Sequence, residues 1–407
     1  MVKPGYKQTE VGVIPEDWYV TPLNDVAEFI NGVAHEKNVD PCGRYILVNS
    51  KFISTNGIVK KYTNIRFQPC YKNDVLLVMS DVPNGRALAR TYFVSKDDYF
   101  TLNQRICALK AKKIDPKLLF YILNRNKYYL SFNDGAKQTN LSKLNVLNCP
   151  LVLSSRRNEQ EKIAEALSDT DNLISSLEKL IEKKKAIKQG AMQNLLTGKT
   201  RLPGFTGKWR HYIIGEMGKF YSGLSGKSKK DFDCGKAQYI TFLNVLSNVK
   251  IDTKILASVD IQENESQNAV KKGDLFFNTS SETPEEVGMC AVLDEDLDNT
   301  YLNSFCFGFR LNDGIHNPLF LSYYLNSEIG RKIMNVLAQG ATRYNLSKNK
   351  FAETVINLPT KEEQTAIASI LSDMDNEIEQ LEQKLTKTRL IKQGMMQQLL
   401  TGKIRLV

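Results

Sequence analysis

The sequence predicts an α+β protein, with two globular heads separated by a long antiparallel two-helix coiled coil. It is built as an internal tandem duplication with pseudo-two-fold symmetry. Three observations carry that prediction. Glu159–Leu202 aligns without a gap to Glu363–Leu406, with 26 of 44 positions identical, so a unit of about 200 residues is written twice. In both copies the apolar positions recur at alternating steps of four and three, the heptad spacing of paired helices. Upstream of each copy, β-rich runs mix with a short helix led by proline.

In chain order the segments are a first head (1–157), a central helix (158–202), a second head (203–360) and a terminal helix (361–407). Strands are expected in YILVNSKFI from Tyr45, DVLLVM from Asp74 and RICALKA from Arg105, and helices after Pro116 and Pro318. Asn158 before Glu161, and Thr360 before Glu363, have N-cap spacing. The seam of the central helix runs through Ile163, Leu167, Ile174, Leu177, Ile181 and Leu195. Its copy runs through Ile367, Leu371, Ile378, Leu381, Leu385 and Leu399. Helix one leads from the first head to the second, so a partner starting where the second head ends must run back along it. About 40 residues at 1.5 Å each give a rod of roughly 60 Å. The final LLTGKIRL would then return beside the N-terminal KQTEVGVIPEDW, in the place LTGKTRLPGFTGKW takes in the second unit. Lys184, Lys188 and Lys392 interrupt the seam, either fixing register, the preferred reading, or marking where the pair splays. Gly190 and Gly394 each cost a helix about 1 kcal/mol relative to Ala. Their presence in both copies points to close approach of another backbone or to a kink.

The net charge of +10 suggests a polyanionic partner. The charge is uneven: residues 1–202 hold 31 Lys+Arg against 20 Asp+Glu, residues 203–407 hold 24 against 25. No apolar run approaches a membrane span and no signal-peptide core opens the chain, so a cytoplasmic protein without membrane association is expected. The seven cysteines are scattered without CxxC spacing and the three histidines lie apart, so no metal site is expected. Catalytic motifs are incomplete. Asn317-Pro318-Leu319-Phe320 lacks the second proline of an NPPF motif, and the GKS at Gly226 and GKT at Gly198 lack the first P-loop glycine. The residues argue for a binder.

Candidate binding residues fall in polar loops that follow strands. SDVPNGRALAR (Ser80–Arg90) corresponds to NTSSETPEEVG (Asn278–Gly288), and GAKQTN at Gly135 to GATRYN at Gly340. Ser80, Arg86, Lys137, Gln138, Thr139 and Asn140 in the first head are candidates, with Lys271, Asn278, Ser280, Thr342, Arg343, Tyr344 and Asn345 in the second. Arg, Lys, Gln and Asn make the contacts that tell bases apart in the major groove, and basic neighbours hold phosphates. The acidic run Glu282–Asp298 cannot sit against phosphates and is expected to face elsewhere. Lys227, Lys229, Lys230, Lys271, Lys272 and Arg343 would supply positive surface.

Two variable heads alternating with two near-identical helices, together with KQTEVGVIPEDW, G-x-x-x-x-NLS, EQ-x-x-IA-x-x-LSD-x-D and IKQG-x-MQ-x-LLTGK-x-RL, resemble the specificity (S) subunit of type I restriction–modification systems along essentially the whole chain. The resemblance implies that each head is a target-recognition domain reading half of a bipartite site on double-stranded DNA, with the helices as ruler. It implies two methyltransferase (M) and two restriction (R) subunits as partners. S-adenosylmethionine, ATP and Mg2+ belong to those partners and no cofactor to this chain. A recognition subunit of a type IIB-like enzyme, or a coiled-coil scaffold with two protein-binding heads, are the competing expectations.

Overall fold

Val75–Val78, the first-head strand from the DVLLVM run, is buried along its whole length. The structure, a computed structural model, describes residues 2–82, 85–97, 99–312 and 314–406, and groups them into two units, Met1–Glu178 with Gln383–Val407, and Lys179–Glu382. In the first, Val75–Val78 lies in an antiparallel four-stranded sheet ordered Ala27–Asn31, Ile106–Ala111, Val75–Val78, Thr91–Phe93. Successive side chains of a strand face opposite ways, and both faces are covered. Val75 and Leu77 pack with Leu109 and Leu119, while Leu76 and Val78 pack with Phe52 and Phe100. A second sheet holds Tyr45–Val48 between Phe100–Leu102 and Tyr62–Thr63. The run from Tyr45 is therefore only half strand. Asn49 Oδ1 accepts from the Phe52 N–H at 2.9 Å and starts the helix Ser50–Ser54, which buries Phe52 and Ile53.

The second unit repeats this topology with different residues. Its four-stranded sheet runs Gly218–Ser222, Cys306–Leu311, Leu275–Asn278, Cys290–Val292. Its smaller sheet holds Phe232–Ile240 between Ala257–Val259 and Thr300–Leu302. Ile106 pairs with Val78 as Cys306 pairs with Asn278, so the register is also shared. The helices after Pro116 and Pro318 form as Pro116–Leu123 and Pro318–Asn326, capped by Asp115 and Asn317. Capping, with a second bond to Thr365 Oγ1, accounts for the Asn317 side chain.

Each long helix is 39 residues, Arg157–Leu195 and Lys361–Leu399, or about 58 Å at 1.5 Å per residue. Thr360 immediately precedes the second, as its cap spacing suggests. The first starts at Arg157, so Asn158 lies inside it, because the Arg156 carbonyl already accepts from Gln160 N–H. Of the seam positions, Ile163, Leu167, Leu177, Ile181, Leu195, Ile367, Leu371, Ile378, Leu385 and Leu399 are buried, and Ile174 and Leu381 half-buried.

Within each unit, segments of the two helices run antiparallel. In the first, Asp171 meets Lys392 and Glu178 meets Arg389; in the second, Glu377 meets Lys184 and Asp375 meets Lys188. The interrupting lysines have assigned partners. Tyr121 Oη donates to Asp171 Oδ2 at 2.8 Å, Lys392 Nζ donates to Asp171 Oδ1 at 2.5 Å, and the ammonium lies 5.6 Å from the tyrosine ring centre. Tyr323, Asp375 and Lys188 repeat the arrangement. Burial first, and then the bond to Asp171, push the Tyr121 phenol well above its ordinary pKa, so it stays a donor. Lys188 and Lys392 thus each meet an aspartate of the other copy.

The motifs shared by both copies build a clasp at the base of each unit. Arg405 donates to Asp17 and to Glu159, whose side chain is only 1% exposed, and its guanidinium lies 5.7 Å from the Trp18 ring. Trp18 Nε1 and Ser154 Oγ also donate to Glu159. In the second unit Arg201, Glu363 and Trp209 correspond. Gly402, with φ +68°, lies against Pro15 and Trp18 so closely that a Cβ would come within 2.6 Å of the proline. The tail therefore returns to the N-terminal segment. Gly190 and Gly394 differ: a Cβ on either would meet nothing within 4 Å. Close approach within the chain does not explain them. No helix of the described residues is long and apolar enough to cross a membrane.

Candidate nucleic-acid interface

One inner strand of each four-stranded sheet, Val75–Val78 or Leu275–Asn278, leads into one of the polar candidate loops, and the structure brings the second polar stretch beside it. Ser80–Asp81 pairs with Thr139–Asn140, Asn140 opposite Ser80. Ser280–Ser281 pairs with Tyr344–Leu346, Asn345 opposite Ser280. Residues some sixty positions apart in sequence thus share one surface in each head, and in the same register.

At the centre is a serine held from the neighbouring strand. Gln138 Nε2 donates to Ser80 Oγ at 2.9 Å, and Ser80 Oγ donates to Asn140 Oδ1 at 2.6 Å. Arg343, which corresponds to Gln138, donates from Nε to Ser280 Oγ at 3.2 Å. Its guanidinium carbon lies 5.9 Å from the Phe305 ring centre. Lys137, Gln138, Asn140, Thr342, Arg343 and Asn345 are exposed and Tyr344 half-buried. Ser80, Ser280 and Thr139 are buried and act as supports; Thr139 Oγ1 donates to Asn133 Oδ1. Gly340 has φ +137°, and a Cβ there would lie 2.0 Å from the Arg343 carbonyl oxygen, so this turn demands glycine.

Four expectations change. Asn278 is fully buried: its Nδ2 donates to the carbonyls of Ser280 and Glu286, and its Oδ1 accepts from Met289 N–H. It shapes the loop and cannot reach a base. Lys271 precedes the strand Leu275–Asn278, whereas the loop follows it, so Lys271 lies at the opposite strand end. It lines a separate cleft with Lys219 and Arg310. The Lys227 side chain is 4% exposed and paired with Glu265 at 2.5 Å, which removes it from the positive surface. The acidic run is not one surface. Glu286 folds onto Ser281 Oγ at 2.8 Å, with Glu282 and Glu285 exposed beside it, while Asp294 pairs with Lys250 beyond the strand Cys290–Val292.

In the first head Arg86 is exposed, and its carbonyl accepts from Arg90 Nε; Pro83 and Asn84 of the same loop lie outside the described residues. Asp81 ties the two ends of this loop together, its carboxylate accepting from the N–H groups of Val82, Ala87 and Leu88. Sequence reasoning missed Asp81, and it missed Arg331. Arg331 donates to the carbonyls of Glu285 and Val287, and its Nε and Nη1 are buried without an acceptor. Burial lowers its pKa. No local motif marks Arg331, because its partners are backbone atoms more than forty residues away.

Comparison with known proteins finds the same domain twice in the chain. Residues 15–189 and 206–388 each match the model of the type I restriction modification DNA specificity domain. The putative type I restriction enzyme MjaX specificity subunit of Methanocaldococcus jannaschii is 27% identical over 98% of this chain and 96% of its own. The EcoKI specificity subunit of Escherichia coli strain K12 is 22% identical over 88% and 82%. The crystal structure of a type I restriction–modification S subunit from M. genitalium shares the fold with a TM-score of 0.62, at 16% identity over 97% of this chain and 98% of that one.

Proposed function

The chain belongs to the type I restriction modification DNA specificity family, and from that premise we propose that it reads a bipartite, asymmetric duplex site without catalysing a reaction itself. Each head reads one half through its paired loops, and the long helices, acting as an antiparallel coiled coil, set the unspecified gap. The supporting observation is the matched bridge. The same register holds Gln138 on Ser80 in one head and Arg343 on Ser280 in the other. One scaffold thus presents different side chains, which suits two unlike half-sites. Amide and guanidinium groups are the side chains that pair bidentately with adenine and guanine, and the exposed Glu282 and Glu285 can accept from cytosine N4.

Two methyltransferase and two restriction subunits complete the assembly, bringing S-adenosylmethionine, ATP and Mg2+ and working in the cytoplasm. An apolar cleft of about 330 Å3 supports docking of such a partner; it is lined by Ala166, Ile391, Gly394, Leu399, Ile404 and Leu406. A type IIB-like assembly differs only in its partner chains, which co-purification identifies. Binding of duplex DNA across a salt series tests the reading. Six or more phosphate contacts imply a fall in affinity of about a thousandfold between about 50 and 200 mM salt. A scaffold with protein-binding heads shows no such slope.

A further inference from the structure

Beside each candidate reading surface lies a three-residue turn that the sequence motifs do not mark. In the second head it is Asn303-Ser304-Phe305, between the strands Thr300–Leu302 and Cys306–Leu311; in the first it is Asn103-Gln104-Arg105, between Phe100–Leu102 and Ile106–Ala111. The two turns are fastened by the same bonds. Asn303 Oδ1 accepts from Phe305 N–H and Asn103 Oδ1 from Arg105 N–H. The Phe305 carbonyl accepts from Thr279 N–H as that of Arg105 accepts from Met79 N–H. The next link is also shared, since the Thr279 and Met79 carbonyls accept from Leu346 and Leu141 N–H, one residue past Asn345 and Asn140. The turn is therefore hydrogen-bonded into the paired loops.

What it presents differs between heads. Phe305 is 55% exposed and sits under the Arg343 guanidinium; Arg105 is exposed. A single exposed phenylalanine is ordinary on a protein surface. This one has its backbone pinned on both sides, and its ring lies under the fork of a base-reading candidate. Resting on the proposed DNA-reading function, we propose that positions 105 and 305 are a further specificity-determining position in each head. Phe305 packs on a thymine 5-methyl group next to the base read by Arg343, and Arg105 sets its guanidinium fork on a guanine of the other half-site.

Selection from a duplex library randomised at both half-sites, using the 407-residue chain alone and together with a type I methyltransferase subunit, tests this. Wild type is expected to select thymine at one position of one half-site, and F305A to lose that preference alone while F305L keeps it. R105A is expected to relax one guanine in the other half-site only. Replacing the selected thymine by deoxyuridine weakens wild-type binding about fourfold, the worth of one methyl-sized group removed from water, and leaves F305A unchanged. Equal melting temperatures of wild type, F305A and F305L establish that the fold is kept. An unchanged consensus and unchanged deoxyuridine response in F305A would overturn the assignment of Phe305 while leaving the reading function standing. Uniform loss of affinity on every sequence would overturn it too. Failure of wild type to select any motif in either form would remove the reading function and this inference together.

Discussion

Arg405 closes the first unit by charge and by stacking, and the chemistry of its partners gives it a pH signature. The hydrogen bond from Arg405 holds the Asp17 carboxyl below its usual range. At Glu159 burial opposes ionisation, but the bonds from Arg405 and Ser154 outweigh it and hold that carboxyl low as well. A carboxyl depressed in the fold stabilises above its unfolded pKa, near 4, and that stability is lost as pH falls through the folded value. The melting temperature of wild type should therefore drop on acidification from about pH 5 downward, because the unfolded carboxyls take up protons while Arg405 still keeps the folded ones ionised. Arg405→Gln should cost on the order of 3 kcal/mol at neutral pH, because it leaves Glu159 buried and unpaired. It should also flatten the acid limb. Arg343 makes a different prediction, since it is exposed and, apart from its place over the Phe305 ring, only its Nε is used within the head. Arg343→Ala should leave the melting temperature unchanged and relax preference in the second half-site alone; equal loss on all duplexes would make it a phosphate contact.

The long helices show what could and could not be read in advance. The heptad pattern placed Ile163, Leu167, Ile367 and Leu371 on a buried seam, because apolar periodicity is local information. The role of Lys188 and Lys392 was only half legible. Their charge was visible, but Asp375 and Asp171, which receive them, belong to the other copy, and Tyr323 and Tyr121 to the heads. Likewise Asn278 looked like a base reader by residue type, and only its burial and three backbone partners show it to be a support. The helix glycines yield a test. With no neighbour within 4 Å of a Cβ, Gly394→Ala should stabilise the isolated chain by about 1 kcal/mol, read as a higher melting temperature. If a partner helix approaches there, the same change should weaken methyltransferase co-purification; unchanged capture would assign the glycine no docking role.

At the scale of the whole molecule, the duplication is out of phase with the folding units. The first unit takes its last segment, Gln383–Val407, from the far end of the chain, while the second is continuous from Lys179 to Glu382. Removing Gln383–Val407 should therefore expose the first unit to limited proteolysis, through loss of Arg405, Lys392 and Leu399, and leave the second resistant. Equal protection of both would show that the tail carries little of the first unit's stability. The central claim is that two unlike heads read two half-sites at a fixed gap. Mapping adenine methylation across a genome whose cell expresses this chain with a type I methyltransferase subunit, beside a deletion of this chain, tests it most directly. The account predicts that the deletion abolishes one motif made of two short blocks at a constant spacing. An unchanged methylation pattern, in a system shown to be active, would contradict it.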